Sequence, residues 1–250
     1  MVKSRNQIVL VFRPSINDAN WSANCNYTTI PTDLVDGGMI HGGFDYAWSE
    51  ISNDILSTLQ KAVQDNPGFR VISIGHSLGG AVAAVAAAKL RALHYDVDLY
   101  SYGAPRIGND ILSDFITNQE GSIYRVTHNW DPIPLVPLAE GETFGGQYKY
   151  RHVSPEYWLN GKPDDPAHWP VEDIKVCEGG LNKNCNSGIP WINFFQHGQY
   201  LGDMTCKNYI PPNSVNGVYI PDRIRKEVAN IISGNEDSAS LGIECFAPHA

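Results

Sequence analysis

Residues Gly75-His76-Ser77-Leu78-Gly79-Gly80 constrain this chain more than any other segment, because of what flanks them. Before them, Arg70-Val71-Ile72-Ser73-Ile74 is apolar and β-branched and reads as a buried strand. After them, Ala81-Val82-Ala83-Ala84-Val85-Ala86-Ala87-Ala88-Lys89-Leu90 reads as a helix of small residues. A serine between two glycines on a strand-to-helix turn is a nucleophile elbow. The turn forces strained backbone angles on Ser77, and its small neighbours let the helix pack close. The hydroxyl is then presented at a helix N-terminus, where backbone N–H groups stabilise an oxyanion. A bare G-x-S-x-G arises by composition in roughly one chain in ten of this length, so the flanking strand and helix decide the reading.

The rest of the first half alternates in the same way. A strand at Ile8–Phe12 is followed by an irregular polar stretch from Ser15 to Gly38. A helix then runs from about Phe44 to Val63, with Ile51, Ile55, Leu56, Leu59 and Val63 on one face, and Asn66-Pro67-Gly68 ends it. Beyond the Ser77–Leu93 helix come a strand at Val97–Tyr102, a helix from Gly108 to Asn118 and a strand at Ser122–Thr127. Alternating strands and helices predict an α/β fold, a mostly parallel central sheet with helices on both faces. After Asp131 the pattern loosens into loops rich in proline, glycine and aromatic residues. Past Cys206, Pro221-Asp222-Arg223-Ile224 opens an amphipathic stretch with Ile224, Val228, Ile231 and Ile232 on one face. It reads as a helix packed on the domain edge or as a contact for a membrane or partner.

The 250 residues suffice for one domain with a sizeable core. A net charge of −9 with no basic run argues against nucleic acid as a partner, and no apolar run approaches the ~20 residues of a membrane span. The chain opens almost directly into a core strand, so it reads as truncated at its N-terminus, without flanking strands or signal peptide. Five cysteines leave one thiol over, and Cys177 and Cys185 bracket a turn-rich loop that a disulfide could close. The sequons Asn20-Trp21-Ser22 and Asn26-Tyr27-Thr28, taken with the cysteines, tilt the reading towards an extracellular protein.

Serine alone is a poor nucleophile and needs a histidine base oriented by a carboxylate. The acid should follow a strand beyond the elbow helix, where Asp131 stands in Asp131-Pro132-Ile133-Pro134. Asp131 is equally readable as an Asp-Pro turn starter. Candidates for the base are His152, His168, His197 and His249. His197, in an apolar and aromatic run from Trp191, is either that base or a satisfied core histidine.

Taken in order, these segments resemble the fungal-type class 3 lipases, a family with triacylglycerol, mono- and diacylglycerol lipase and feruloyl esterase branches. The resemblance runs from about Ile8 to Cys206. Val11-Phe12-Arg13-Pro14-Ser15 looks like the family's strand and oxyanion loop, and Asn20-Trp21 like its lid tryptophan motif. Ile40-His41-Gly42-Gly43-Phe44, Tyr102-Gly103-Ala104-Pro105-Arg106-Ile107-Gly108-Asn109, Thr127-His128-Asn129-Trp130-Asp131 and Ser154-Pro155-Glu156-Tyr157-Trp158 match further segments. His197-Gly198-Gln199-Tyr200-Leu201 resembles the loop of the catalytic histidine. The resemblance implies an α/β-hydrolase fold and acyl-enzyme chemistry at Ser77, His197 and Asp131 without metal or cofactor. It implies an oxyanion hole from Ser15 and the Leu78 N–H, with His41, His76 and His128 as structural neighbours.

The chain departs from the family at Pro14, normally glycine, which puts the geometry of the oxyanion loop in question. Its missing upstream residues leave Cys206 orphaned or joined to Cys25 or Cys245. The lid, Ser15 to about Tyr27, is moderately polar. Trp21 favours a lipase, Tyr27 resembles the feruloyl esterase branch, and the Cys177–Cys185 loop favours lipase again. The expectation is therefore a secreted, monomeric serine lipase acting on glycerol esters at a lipid–water interface. Its domain is 1–206, with a C-terminal extension over 207–250. The competing readings are an aromatic-acid esterase and a truncated, non-catalytic homologue.

Overall fold

The computed structural model describes residues 1–13, 28–143, 146–161, 169–202, 214–215 and 218–219. The expectations for Pro14, Ser15, Trp21, Tyr27, His168, His249, Cys25, Cys206, Cys245 and the 221–232 stretch lie outside them. Strand β1 (Gln7–Phe12) is followed by a small hairpin, β2 (Thr29–Pro31) and β3 (Met39–His41). Next come helix α1 (Gly42–Asp65), β4 (Arg70–His76), α2 (Leu78–Ala92), β5 (Val97–Tyr102), α3 (Asp110–Asn118) and β6 (Ile123–His128). A second hairpin, β7 (Glu140–Thr143) and β8 (Gly146–Lys149), precedes β9 (Glu156–Leu159) and β10 (Ile174–Cys177).

Six strands form one sheet in the order β1-β4-β5-β6-β9-β10. Every pairing from β1 to β9 is parallel, and β10 closes the edge antiparallel to β9. Parallel neighbours need crossovers; α1, α2 and α3 supply the first three, and β6 reaches β9 through a connection that carries the β7–β8 hairpin. Alternate residues Ile8, Val71, Val97, Leu99 and Ile123 point into a single apolar cluster with α1, α2 and α3. Helix α2 lies at its centre with every alanine and valine from Ala81 to Ala88 buried. Small side chains let its backbone come close to the sheet, so that Ser73 Oγ on β4 donates to the Ala83 carbonyl at 2.7 Å. The opposite face carries Tyr100, Tyr124 and Tyr157, the first two stacked at 4.5 Å.

Helix α1 begins where His41 Nδ1 accepts from the Gly43 N–H at 3.1 Å. Phe44, Trp48 and Leu59 carry its buried stripe, with Ile55, Leu56 and Val63 partly buried beside them. Ile51, expected on that stripe, is 38% exposed and falls outside the cluster. Cys177 and Cys185 are joined by a disulfide that ties β10 to the loop after it.

Candidate active site

Strand β4 ends at His76 and α2 starts at Leu78, so Ser77 takes the corner with φ 57° and ψ −129°. This region is costly for any residue with a Cβ, by about 1–3 kcal/mol. Two glycines make the corner possible. A Cβ on Gly75 would stand 2.1 Å from the Gly79 carbonyl oxygen, and one on Gly79 would stand 2.1 Å from the Phe12 carbonyl oxygen. The carbonyls of Phe12 and Arg13, at the end of β1, are thereby pressed against the start of α2. Leu78 opens α2, so its N–H has no acceptor within the helix.

His197 comes to the elbow from the far end of the described chain. Its Nε2 lies 2.9 Å from Ser77 Oγ, and its Nδ1 lies 2.8 Å from Asp131 Oδ2. All three side chains are buried. With Asp131 ionised, His197 Nδ1 carries the hydrogen it donates, and Nε2 is left to accept from the serine hydroxyl. That is the constellation of a nucleophile activated by an oriented base. The two readings of Asp131 turn out to be compatible. Its Oδ1 accepts from the Ile133 N–H at 2.9 Å and starts the Asp-Pro turn, while Oδ2 faces His197.

The other histidines hold loops. His76 donates from Nε2 to the His197 carbonyl at 2.7 Å, and His128 donates from Nδ1 to the Gln196 carbonyl at 3.0 Å. They grip consecutive carbonyls of the base loop. Burial, with the neighbouring His197 ring 4.6 Å away, pushes His76 down to about 3, so it stays neutral. His152 donates to the Pro134 carbonyl beyond the acid, well away from Ser77 in role. Burial holds it well below its ordinary range too. His41 is buried and stacked on Phe44 at 3.9 Å.

Two groups at this site carry no signal in the residue pattern. Tyr200, fully buried, donates its hydroxyl to Asp131 Oδ2. Asn186, also buried, donates to the Asp131 backbone carbonyl at 2.9 Å. Tyr200 lies within the segment around His197, and only its spacing from the histidine could have suggested it. Beyond the polar centre, Trp130 packs edge-on against Trp191 at 5.4 Å. Trp191, Phe195 and Leu201 are 54%, 43% and 42% exposed, an apolar rim on the segment that carries His197.

The geometry agrees with comparisons to known proteins. The profile of the family described as lipase (class 3) matches residues 9–141. The chain is 46% identical over 204 residues to a secreted mono- and diacylglycerol lipase of Fusarium solani, covering 81% of this chain and 59% of the relative. It is 38% identical over 192 residues to one of Penicillium cyclopium, covering 76% and 60%. The chain thus spans about three fifths of the length of these curated relatives. The solved mono- and diacylglycerol lipase of Aspergillus oryzae superimposes with a TM-score of 0.71 at 34% identity, over 80% of this chain and 72% of that one.

Proposed function

The chain belongs to the class 3 lipase family, and from that premise we propose that it is a secreted serine esterase of mono- and diacylglycerols. The observation that carries the reading is the continuous path from Ser77 Oγ through His197 to Asp131, with contacts of 2.9 and 2.8 Å at a strand-to-helix corner. Ser77 attacks the ester carbonyl as its proton passes to His197 Nε2. The carbonyl becomes an oxyanion, held by the Leu78 N–H and, on the family resemblance, by Ser15. The ester C–O bond breaks, the glycerol oxygen takes the proton from His197, and the acyl group stays on Ser77. Water then attacks, gives its proton to Nε2, and releases the fatty acid as that proton returns to Ser77. Asp131 keeps the imidazole in the required tautomer and stabilises its cation. One oxyanion donor of this kind is worth about 3–4 kcal/mol.

Apolar substrate is supported by the rim of Trp191, Phe195 and Leu201. Secretion and the preference for partial glycerides are supported by the names of the Fusarium and Penicillium relatives. In this reading 1–206 is the catalytic unit of a monomer, 207–250 an extension, and Trp21 and Tyr27 belong to the lid. No described helix is long and apolar enough to cross a membrane.

The test is hydrolysis of diolein, triolein emulsion and methyl ferulate by the chain and by Ser77→Ala. Turnover of diolein above triolein, abolished in Ser77→Ala, is the expected result. Cleavage of methyl ferulate alone would make the protein an aromatic-acid esterase. Equal background rates in both proteins would leave it without esterase activity.

A further inference from the structure

The acid turn is stapled at three successive carbonyls by donors from three separate segments. Trp158 Nε1 donates to the Asn129 carbonyl at 3.0 Å, and the Asn193 N–H donates to the Trp130 carbonyl at 2.9 Å. Asn186 Nδ2 donates to the Asp131 carbonyl at 2.9 Å and reaches within 3.4 Å of the Asn129 carbonyl as well. The third staple sits on the residue whose carboxylate faces His197.

Asn186 is itself anchored from two directions. Its backbone N–H donates to Glu156 Oε1 at 3.1 Å, and the other oxygen of Glu156 meets Arg125 at 3.0 Å inside the sheet. The residue before it, Cys185, is bonded to Cys177 at the end of β10. The sheet edge, through the disulfide, and the sheet interior, through Glu156, therefore converge on one amide that touches the Asp131 main chain. We infer that Asn186 is a positioning residue for Asp131, an inference that rests on the serine esterase reading above.

The chemistry requires a donor here. Asn186 is 1% exposed, and its Nδ2 faces carbonyl oxygens, so only a donor fits. An aspartate would set its carboxylate oxygens against those carbonyl oxygens in a buried site. Released from the staple, the Asp131 peptide can turn, and Oδ2 shifts relative to His197 Nδ1. Displacements of about 1 Å from a reacting geometry cost on the order of a hundredfold in rate. A purely structural asparagine would instead lower stability and leave the folded fraction fully active.

The experiment compares Asn186→Ala and Asn186→Asp with wild type and with Thr127→Val. The last removes a hydrogen bond to the same Glu156 without touching the Asp131 carbonyl. Readouts are kcat and KM on p-nitrophenyl butyrate, the rate of Ser77 labelling by a fluorophosphonate, and near-UV circular dichroism for the folded fraction. The expected result is a kcat lowered about ten- to a hundredfold in both Asn186 variants, with KM within about threefold and labelling slowed in step. Thr127→Val should keep its kcat within about twofold while melting earlier. Should Asn186→Asp fail to fold, Asn186→Ala, which adds no charge, decides the matter. Wild-type kcat in folded Asn186→Ala overturns the role of Asn186 alone. Hydrolysis that survives Ser77→Ala overturns the esterase reading itself.

Discussion

Tyr200 donates its phenolic hydrogen to Asp131 Oδ2, the oxygen that also accepts from His197 Nδ1. One carboxylate oxygen thus serves the base and a buried hydroxyl together, while Oδ1 is occupied by the Ile133 N–H. Every lone-pair direction the turn uses is assigned, and the carboxylate has one orientation. Burial and the Asp131 charge hold the Tyr200 hydroxyl well above its ordinary value, so it remains a donor throughout the working pH range. Tyr200→Phe should lower kcat about tenfold with little change in KM, since a hydrogen bond to a charged group contributes about 1.5–3 kcal/mol. The loss should be the same at pH 6 and pH 9. A kcat within a factor of two of wild type would show that His197 and the turn hold Asp131 unaided.

The corner at Ser77 trades stability for presentation of the hydroxyl. Its φ of 57° is open to glycine and strained for serine. Ser77→Gly should abolish hydrolysis and at the same time raise the unfolding free energy by about 1 kcal/mol, the relief of strain exceeding the added freedom of the unfolded chain. Urea titration of the two proteins checks this. A Ser77→Gly protein less stable than wild type would mean that the hydrogen bond to His197 outweighs the strain.

How much of this was legible beforehand depended on whether the signal was local. The parallel sheet and its helices follow from periodicity, since β-branched runs and alanine-rich segments announce their own conformation, and β4 and α2 lie within a few residues of their expected bounds. The elbow was legible because Gly75 and Gly79 are needed within five residues of each other. Asp131 was ambiguous only while a turn starter and an acid looked like alternatives, and one carboxylate both accepts from the Ile133 N–H and faces His197. Asn186 could not be found in this way. An asparagine after a cysteine in a Gly- and Asn-rich loop reads as a turn residue, and its role arises only when β9 and β10 bring Glu156 and Cys177 to it. His76 was legible as a structural neighbour of the site through the family resemblance, but its partner was not, because the His197 carbonyl belongs to a distant loop.

Neutral buried histidines give the fold a defined sensitivity to acid. His76 has a folded value of about 3 against an ordinary 6.5, and burial lowers His128 and His152 as well. Between 6.5 and 3 the unfolded chain binds protons that the folded one refuses, so stability is full above pH 6.5 and declines as pH falls. For one such group the slope approaches about 1.4 kcal/mol per pH unit. Urea unfolding at pH 7.5, 6.5, 5.5 and 4.5 should show the decline. His76→Gln, which can still donate to the His197 carbonyl, should flatten the slope by about one proton. An unchanged slope would mean that His76 titrates freely in the folded protein.

The pair Arg125 and Glu156 lies under the acid turn with 3% and 1% of the side chains exposed, at 3.0 Å. Glu156 also accepts from Thr127 Oγ1 and the Asn186 N–H, and Arg125 Nε donates to the Val153 carbonyl at 2.7 Å. Burying two charges is expensive, and their attraction recovers the cost only while both are present. Glu156→Gln removes the anion and leaves the guanidinium charge buried, so it should destabilise by about 3–5 kcal/mol. Arg125→Met strands the carboxylate and should cost a similar amount. The double variant Arg125→Met/Glu156→Gln removes both charges of the pair, and with them both the repulsion of Arg125 and the attraction of Glu156 felt by the buried Arg106, so it should be more stable than either single change. Urea midpoints for the four proteins, with unchanged m-values, complete the cycle. Additive losses would mean that the two charges act independently, and that the Glu156 carboxylate serves the hydrogen bonds of Thr127 and Asn186 rather than the ion pair.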